Sequence, residues 1–483
     1  MKRFFFCLLS CIVLALAGLA YVNWNRDPMG ILKGDFSSVR LEPDQHFVKM
    51  RYILAHPDLH DSFAFGSSRV AKIDLTRIPE GNWYNMSYSE GMPDEWLDDL
   101  RRMLQNGVKI RHLLIGLDDG SFRLPPHAHT GKMDFRRPYR PYDAEFYLNE
   151  LFQKPQRVDE ELLSLHGALY DIYGTGRSFA PEAVEQFIDT HLEEHAQSDR
   201  LFLSSAYIGS NIPYAIDILQ QIKELADAND IELTVFFNPV WQTTYADNDL
   251  QELADFKRQL ANVTDYYDFS GFNKVTTNPA DFYESSHYRP KVGDMLVDRM
   301  FLNGAEQSSD FGILVTASNV QEHLQRLAAQ VVSWEAAHPQ FHEETAFRRQ
   351  FTKVLPERFL HLAKTDARLY CQIDNVTSPR VADRVLWTQG SPIGLRGWMV
   401  AGTGQPIEAA AILKRTDAAD GQRFYLRVKT LHPVKDASKW SFELETPKGN
   451  VPAGTYTLSL LVRTDKNEEL VSDKLLTLQV IAP

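Results

Sequence analysis

Asp61-Ser62-Phe63-Ala64-Phe65-Gly66-Ser67-Ser68-Arg69 is the stretch on which the fold turns. Its apolar centre reads as a short strand, and the Gly-Ser-Ser that ends it reads as a sharp strand-to-helix turn. Such a turn exposes a serine hydroxyl while the N–H groups that follow face a developing oxyanion. A solvated loop or a helix cap gives the same three letters. Outward from here, a second strand is predicted over 83–87, ending near Gly91, and a helix over 93–104 with apolar spacing at Trp96, Leu97, Leu100, Met103 and Leu104. Asn106-Gly107 is its stop signal. A buried strand over 110–117 runs into Asp118-Asp119-Gly120. After an irregular block at 121–200, with helical segments near 158–173 and 181–196, the alternation resumes. It gives a strand near 201–204, a helix over 213–228, a strand over 231–238, a helix over 248–261 and a strand over 266–269. Alternating strands and amphipathic helices predict an α/β domain with a mostly parallel sheet covered on both faces. Residues 121–200 become an insertion over its carboxyl edge, where ligands bind in open α/β sheets.

The rest of the chain frames this domain. Lys2 and Arg3 precede an uncharged run, residues 4–22, of roughly 28 Å as a helix, enough to cross a hydrocarbon core. Tyr21 and Trp24 sit where an interfacial aromatic belt would, and the basic flank places the remainder across the membrane. A cleaved signal peptide is the competing reading, because Ala15, Ala17 and Ala20 offer small residues. The expected organisation is an anchor or signal over 1–26, the α/β domain over 27–304, a helical connector over 305–365, and a β-sandwich over 366–483 built from about seven short strands.

Composition narrows the function. A net charge of -13 provides no broad basic surface for a nucleic-acid backbone. Three cysteines exclude a disulfide framework. His127-Ala128-His129 lacks partners at metal-binding spacing, and no phosphate loop or dinucleotide fingerprint is present, so no metal or cofactor is expected.

A second segment bears on the serine: Asp281-Phe282-Tyr283-Glu284-Ser285-Ser286-His287-Tyr288-Arg289-Pro290, directly after the last α/β strand. Glu284, three residues before His287, can accept the Nδ1–H of the imidazole and leave Nε2 to take a serine proton. Arg69, Arg136, Arg137 and Arg140, with Tyr139 and Tyr142, are candidates for a substrate-binding lip over Ser68.

From Ser62 to Phe301 the chain resembles the SGNH/GDSL hydrolase superfamily, in the periplasmic branch whose first motif reads Gly-Ser-Ser. The resemblance implies a three-layer α/β sheet. It puts Ser68 in the nucleophile position, the Ser68 N–H and Gly91 among the oxyanion donors, His287 as base and Glu284 where an aspartate is usual. The third motif departs: Gly116-Leu117-Asp118-Asp119 stands where the family has Gly-x-Asn-Asp, and an ionised Asp118 cannot donate to an oxyanion. This branch resembles the acyl-transfer partners of envelope polysaccharide and teichoic-acid decoration systems. That implies a single-pass bacterial inner-membrane protein, its bulk extracytoplasmic, which transfers O-acyl groups to an envelope glycan or removes them, beside a membrane-bound O-acyltransferase. The alternative is a non-catalytic scaffold of the same fold that binds a glycan or that membrane partner.

Overall fold

Every residue of β1 (Ser62–Gly66) and β2 (Trp83–Asn85) is buried. A strand buried along its whole length is covered on both faces, which is why these segments read as apolar runs rather than alternating ones. The computed structural model describes residues 2–27, 30–33, 43–124, 136–155, 169–196, 201, 204–207, 209–302 and 310–338. In the C-terminal region it describes 369–376, 380–381, 384–388, 395–401, 405–417, 423–433, 440–444, 451–465, 469–472 and 475–481. The chain divides into two units, Met1–Leu192 with Ser204–Val331, and Glu193–Leu203 with Val332–Pro483.

In the first unit, β1 and β2 join β3 (His112–Leu117), β4 (Glu232–Phe237), β5 (Tyr266–Asp268) and β6 (Ile313–Val315) in one sheet of order β2-β1-β3-β4-β5-β6. The first five strands run parallel and β6 pairs antiparallel with β5. The helices include α1 (Lys2–Arg26), α2 (Gln45–Ala55), α3 (Pro93–Gln105), the single turn α4 (Gly120–Arg123), α5 (Ala144–Phe152), α6 (Glu182–Thr190), α7 (Ile212–Ala228), α8 (Leu250–Val263), α9 (Pro290–Phe301) and α10 (Val320–Ala337). α3 shows how locally the sequence encodes them: Pro93 enters at the first turn beside Asp94 and Glu95, and Trp96, Leu97, Leu100 and Met103 form its buried stripe. The core joins Phe63, Phe65, Trp96, Ile115, Leu117, Ile222, Val235, Phe237 and Phe256.

α1 is the one helix, among the described residues, long and apolar enough to cross a membrane. It does not hang on a loose tether. Asn23 Nδ2 donates to Leu151 O and Gln153 O (2.7 and 2.8 Å) at the end of α5. Asp27, buried, receives the N–H groups of Ile31, Leu32 and Lys33.

Two expectations change here. Of the strand expected near 201–204, residues 202 and 203 lie outside the described residues; Leu201 is helical, and Ser204 is not in a strand, its Oγ accepting Ala206 N–H (3.1 Å). The span expected to be a helical connector holds a strand, β6, which closes the sheet before α10 begins. Three residues are too short for periodicity to register. Of the helix expected near 158–173, residues 156–168 lie outside the described residues, and 169–173 hold a bridge at Tyr170 and a turn.

The second unit holds a β-sandwich-like array of β7 (Leu369–Val376), β8 (Arg380–Val381), β9 (Arg384–Thr388), β10 (Leu395–Ala401), β11 (Pro406–Arg415), β12 (Arg423–Pro433), β13 (Trp440–Leu444), β14 (Gly454–Thr464), β15 (Glu469–Val471) and β16 (Leu476–Ile481). Their order is β7-β10-β13-β12-β11-β14-β16-β9-β8, with β15 on β14. β14 (Gly454–Thr464) alternates buried and half-buried residues over most of its length, a strand with one face on a core. That core includes Trp387, Met399, Leu413, Phe442, Tyr456, Leu458 and Leu478.

Candidate active site

The parallel strands run in the order β2-β1-β3-β4-β5. The chain winds outward in opposite directions from β1 and β3, which leaves a crevice at their carboxyl ends. Ser68 follows β1 and Asp118 follows β3, so both motif turns open into that crevice. A Cβ on Gly66 would stand 2.3 Å from Val70 Cγ2 and 3.0 Å from Gly116 O, so only glycine lets the serine turn lie this close to β3. Val70 N–H donates to Ser67 O (3.0 Å) and Ala71 N–H to Ser68 O (3.3 Å); the Ser68 N–H takes no part in these turn bonds.

The two serines diverge. Ser67 is buried and its Oγ donates to Asp118 Oδ2 at 2.5 Å. Ser68 is half-buried, and its Oγ lies 2.7 Å from His287 Nε2, 219 residues away in the chain.

His287 reaches the crevice on a loop with its own scaffolding. Phe282 and Tyr288 pair as an isolated antiparallel bridge, Tyr283 N–H donates to His287 O (2.9 Å) and Arg289 N–H to Asp281 O (2.8 Å). Trp241 N–H donates to Ser285 O (3.3 Å) and Tyr288 OH to Asn238 Oδ1 (3.0 Å), which carries the loop back over the end of β4. The Glu284 carboxylate caps the turn, accepting Ser286 N–H and His287 N–H (both 2.7 Å) while its Oε1 meets His287 Nδ1. Burial alone would raise the Glu284 carboxyl; the facing imidazole and the two backbone donors outweigh it and hold the group below its ordinary value. Glu284 therefore accepts, Nδ1 carries the proton, and Nε2 is left to accept from Ser68.

Arg69 does not reach outward. It is buried, with Nη1 3.0 Å from both Asp118 Oδ2 and Asp119 Oδ1 and Nε 3.2 Å from Ser286 O. A guanidinium held this way ties the serine, third-motif and histidine loops together, so its place is positioning and not a substrate lip. Arg136 is also withdrawn: fully buried, it pairs with Glu95 and lies 3.7 Å from Glu90 Oε2. Arg137 pairs with Glu150. Arg140 is exposed, 3.3 Å from Asp143, and lines a cavity to which Ser68, Glu284 and His287 do not contribute. Residues 127–129 lie outside the described residues, and among the described ones no cluster of three His, Cys, Asp or Glu is placed to hold a metal.

The oxyanion side is less well furnished. Asp118 faces donors only, Ser67 Oγ and Arg69, and its own N–H donates to Ser121 Oγ (3.1 Å). Gly91 packs so tightly that a Cβ would stand 2.5 Å from Gly66 O, yet its N–H points to Tyr88 O (3.3 Å).

Several residues that serve the site are given no role by sequence spacing. Arg289 is held by Glu185 Oε2 and Asp189 Oδ1 of α6 (2.5 and 2.8 Å), so part of the insertion buttresses the histidine loop. Asp119 accepts Arg69 and Tyr207 N–H (2.9 Å). Their charge in a polar loop was visible, but their partners lie 50 to 104 residues away, beyond any spacing rule.

No protein-family model matches the chain, and neither does any curated protein. Solved structures similar to parts of it include CopC from Methylosinus trichosporium OB3b, at 14% identity over 23% of this chain and 95% of that one, with a TM-score of 0.15. PcoC, a methionine-rich copper resistance protein from Escherichia coli, gives 16%, 23%, 99% and 0.15. The Pseudomonas fluorescens alkylpurine DNA glycosylase AlkC gives 11%, 56%, 72% and 0.18. Likenesses at these TM-scores carry no argument about fold or function.

Proposed function

We propose that this chain is a membrane-anchored, extracytoplasmic SGNH-like protein that transfers O-acyl groups to, or removes them from, an envelope glycan through an ester on Ser68. The observation that carries the reading is the Ser68 Oγ–His287 Nε2 contact of 2.7 Å, with Glu284 on the other ring nitrogen. The strand order and the position of both loops at the carboxyl edge support the three-layer SGNH-like expectation.

In this mechanism His287 Nε2 takes the Ser68 proton as Oγ attacks the acyl carbonyl. The same nitrogen then returns the proton to the departing oxygen. Glu284 holds the ring and stabilises the imidazolium that forms between these steps. A sugar hydroxyl or water, deprotonated in turn by His287, resolves the ester. The Ser68 N–H is the oxyanion donor the turn offers, and a missing donor costs about 10²–10³ in rate. Slow turnover on simple esters is the consequence. The test is a cell carrying Ser68→Ala. Loss of glycan acylation, with the protein still in the membrane fraction, supports the reading, and unchanged acylation overturns it.

One observation favours a second reading. With Asp118 facing only donors and the Gly91 N–H turned to Tyr88, two family donors are missing. A scaffold that binds a glycan or a membrane-bound O-acyltransferase would need none of them.

A further inference from the structure

Beside α5 lies a cavity of about 920 Å³, open to solvent, whose wall includes Arg51, Arg102, Arg140, Tyr139 and Tyr142, with Asp143 as its one carboxylate. In a chain of net charge -13, three guanidiniums facing one carboxylate are a local reversal of sign. Among the described residues, the hydrogen bonds of Arg51 and Arg102 go to backbone carbonyls: Arg51 donates to Ile31 O (2.8 Å) and Gly30 O, and Arg102 to Tyr139 O. Carbonyls orient a guanidinium without neutralising it, and each retains N–H groups for a second acceptor.

The position of this cavity is set by α1. Asn23, in the aromatic belt between Tyr21 and Trp24, is bonded to the carboxyl end of α5, while Ala144 at its amino end forms part of the cavity wall. Seven residues of helix separate these points, about 10 Å. The polar layer on each side of a hydrocarbon core is about 5–7 Å deep, so an α5 that lies along the interface, and not away from it, keeps the cavity at headgroup depth. α5 is suited to that depth. Leu148 and Phe152 lie one turn apart on the same face and are 52% and 40% exposed, and Tyr142 beside them is 97% exposed. α5 itself carries Glu145 and Glu150 and no basic residue, so its apolar stripe supplies the contact with the acyl boundary and the cavity arginines supply the positive charge.

We infer that α5 lies in the membrane interface and that the Arg51–Arg102–Arg140 cavity binds the phosphate of an anionic phospholipid headgroup. The guanidiniums take the phosphate oxygens, and Leu148 and Phe152 meet the acyl boundary. The inference rests on α1 spanning the membrane and is independent of the chemistry at Ser68.

The experiment uses the full chain in neutral detergent, titrated with phosphatidylglycerol, phosphatidylcholine or inorganic phosphate, with the thermal midpoint as readout. Phosphatidylglycerol should raise the midpoint saturably and phosphatidylcholine should not. Arg140→Glu, a change at an exposed side chain, should weaken the phosphatidylglycerol response about tenfold or more, and Arg102→Gln should do the same. Arg111→Gln, which removes an exposed charge that pairs with Asp61 and does not line the cavity, should leave it intact. Equal weakening by Arg111→Gln, or no response to phosphatidylglycerol, overturns the assignment. Stabilisation by inorganic phosphate at concentrations as low as those of the lipid overturns the lipid as source and makes the cavity a free-phosphate site.

Discussion

Arg69 Nη1 stands 3.0 Å from Asp118 Oδ2 and 3.0 Å from Asp119 Oδ1, inside the protein and one residue from Ser68. The two aspartates hold its guanidinium charged, well above the already high ordinary value, against the opposing effect of burial. Asp118 is therefore one arm of an ion-pair clamp across three loops.

Removing that clamp leaves two buried carboxylates without a cation. Arg69→Met should destabilise the first unit by about 3–5 kcal/mol. Calorimetry of the full chain checks it, with the transition of the C-terminal unit as internal reference. Arg69→Lys should recover part of the stability. It should still slow phosphonate labelling of Ser68, because an ammonium cannot hold Asp118, Asp119 and Ser286 in one plane.

Glu284→Gln should slow labelling by about 10²–10⁴-fold without abolishing it. The two carboxylate oxygens divide the backbone donors, Oε2 taking Ser286 N–H and Oε1 taking His287 N–H, so the amide's single oxygen keeps one of these bonds and the turn is loosened but not undone. What is lost is the charge opposite the imidazolium and the fixed tautomer. A stopped-time labelling series, with circular dichroism to verify the fold, reads this directly. A loss as complete as that of Ser68→Ala would mean that the loop itself had collapsed.

A buried network away from the crevice gives a pH signature. Burial pushes the His46 imidazole down, but Asp99, whose Oδ2 meets His46 Nε2 at 2.7 Å, together with Glu95 and Asp44, holds it up at about 9. The folded value lies above the unfolded one. The stability this pair contributes is thus full below about pH 6.5 and is lost as pH rises through about 9. The stability difference between wild type and His46→Gln should shrink over that window, at most about 1.4 kcal/mol per pH unit. Lys49, pushed down by burial to about 7, slopes the other way, so the difference between the two proteins is the quantity to measure.

A fragment of residues 366–483 should fold alone as an all-β unit with one cooperative thermal transition. Its core is assembled from β9 (Arg384–Thr388) through β16. A disordered circular-dichroism spectrum would refute this boundary.

Much of the fold was legible because its elements are local. α3 carries its proline, acidic first turn and apolar stripe within 13 residues, and β1 and β3 are apolar runs ended by turn residues. The Glu284–His287 pair was legible for the same reason, as three residues of spacing suffice to let the carboxylate meet Nδ1. The arginines were not. Charge alone suggested a solvent-facing lip, but Arg69 and Arg136 are buried because carboxylates distant in sequence compensate them, and Arg140 lines another cavity. β6 escaped because a three-residue strand has no period.

The Ser68–His287 contact makes its sharpest demand on reactivity. The measurement is treatment of the purified full chain with a serine-directed phosphonate, followed by mass-spectrometric mapping of the adduct. A single adduct on Ser68, absent from Ser68→Ala at unchanged circular dichroism and greatly slowed in His287→Ala, is the result predicted from the 2.7 Å geometry. A wild-type protein inert to the reagent, or labelling that persists in Ser68→Ala, would contradict an activated serine at this site.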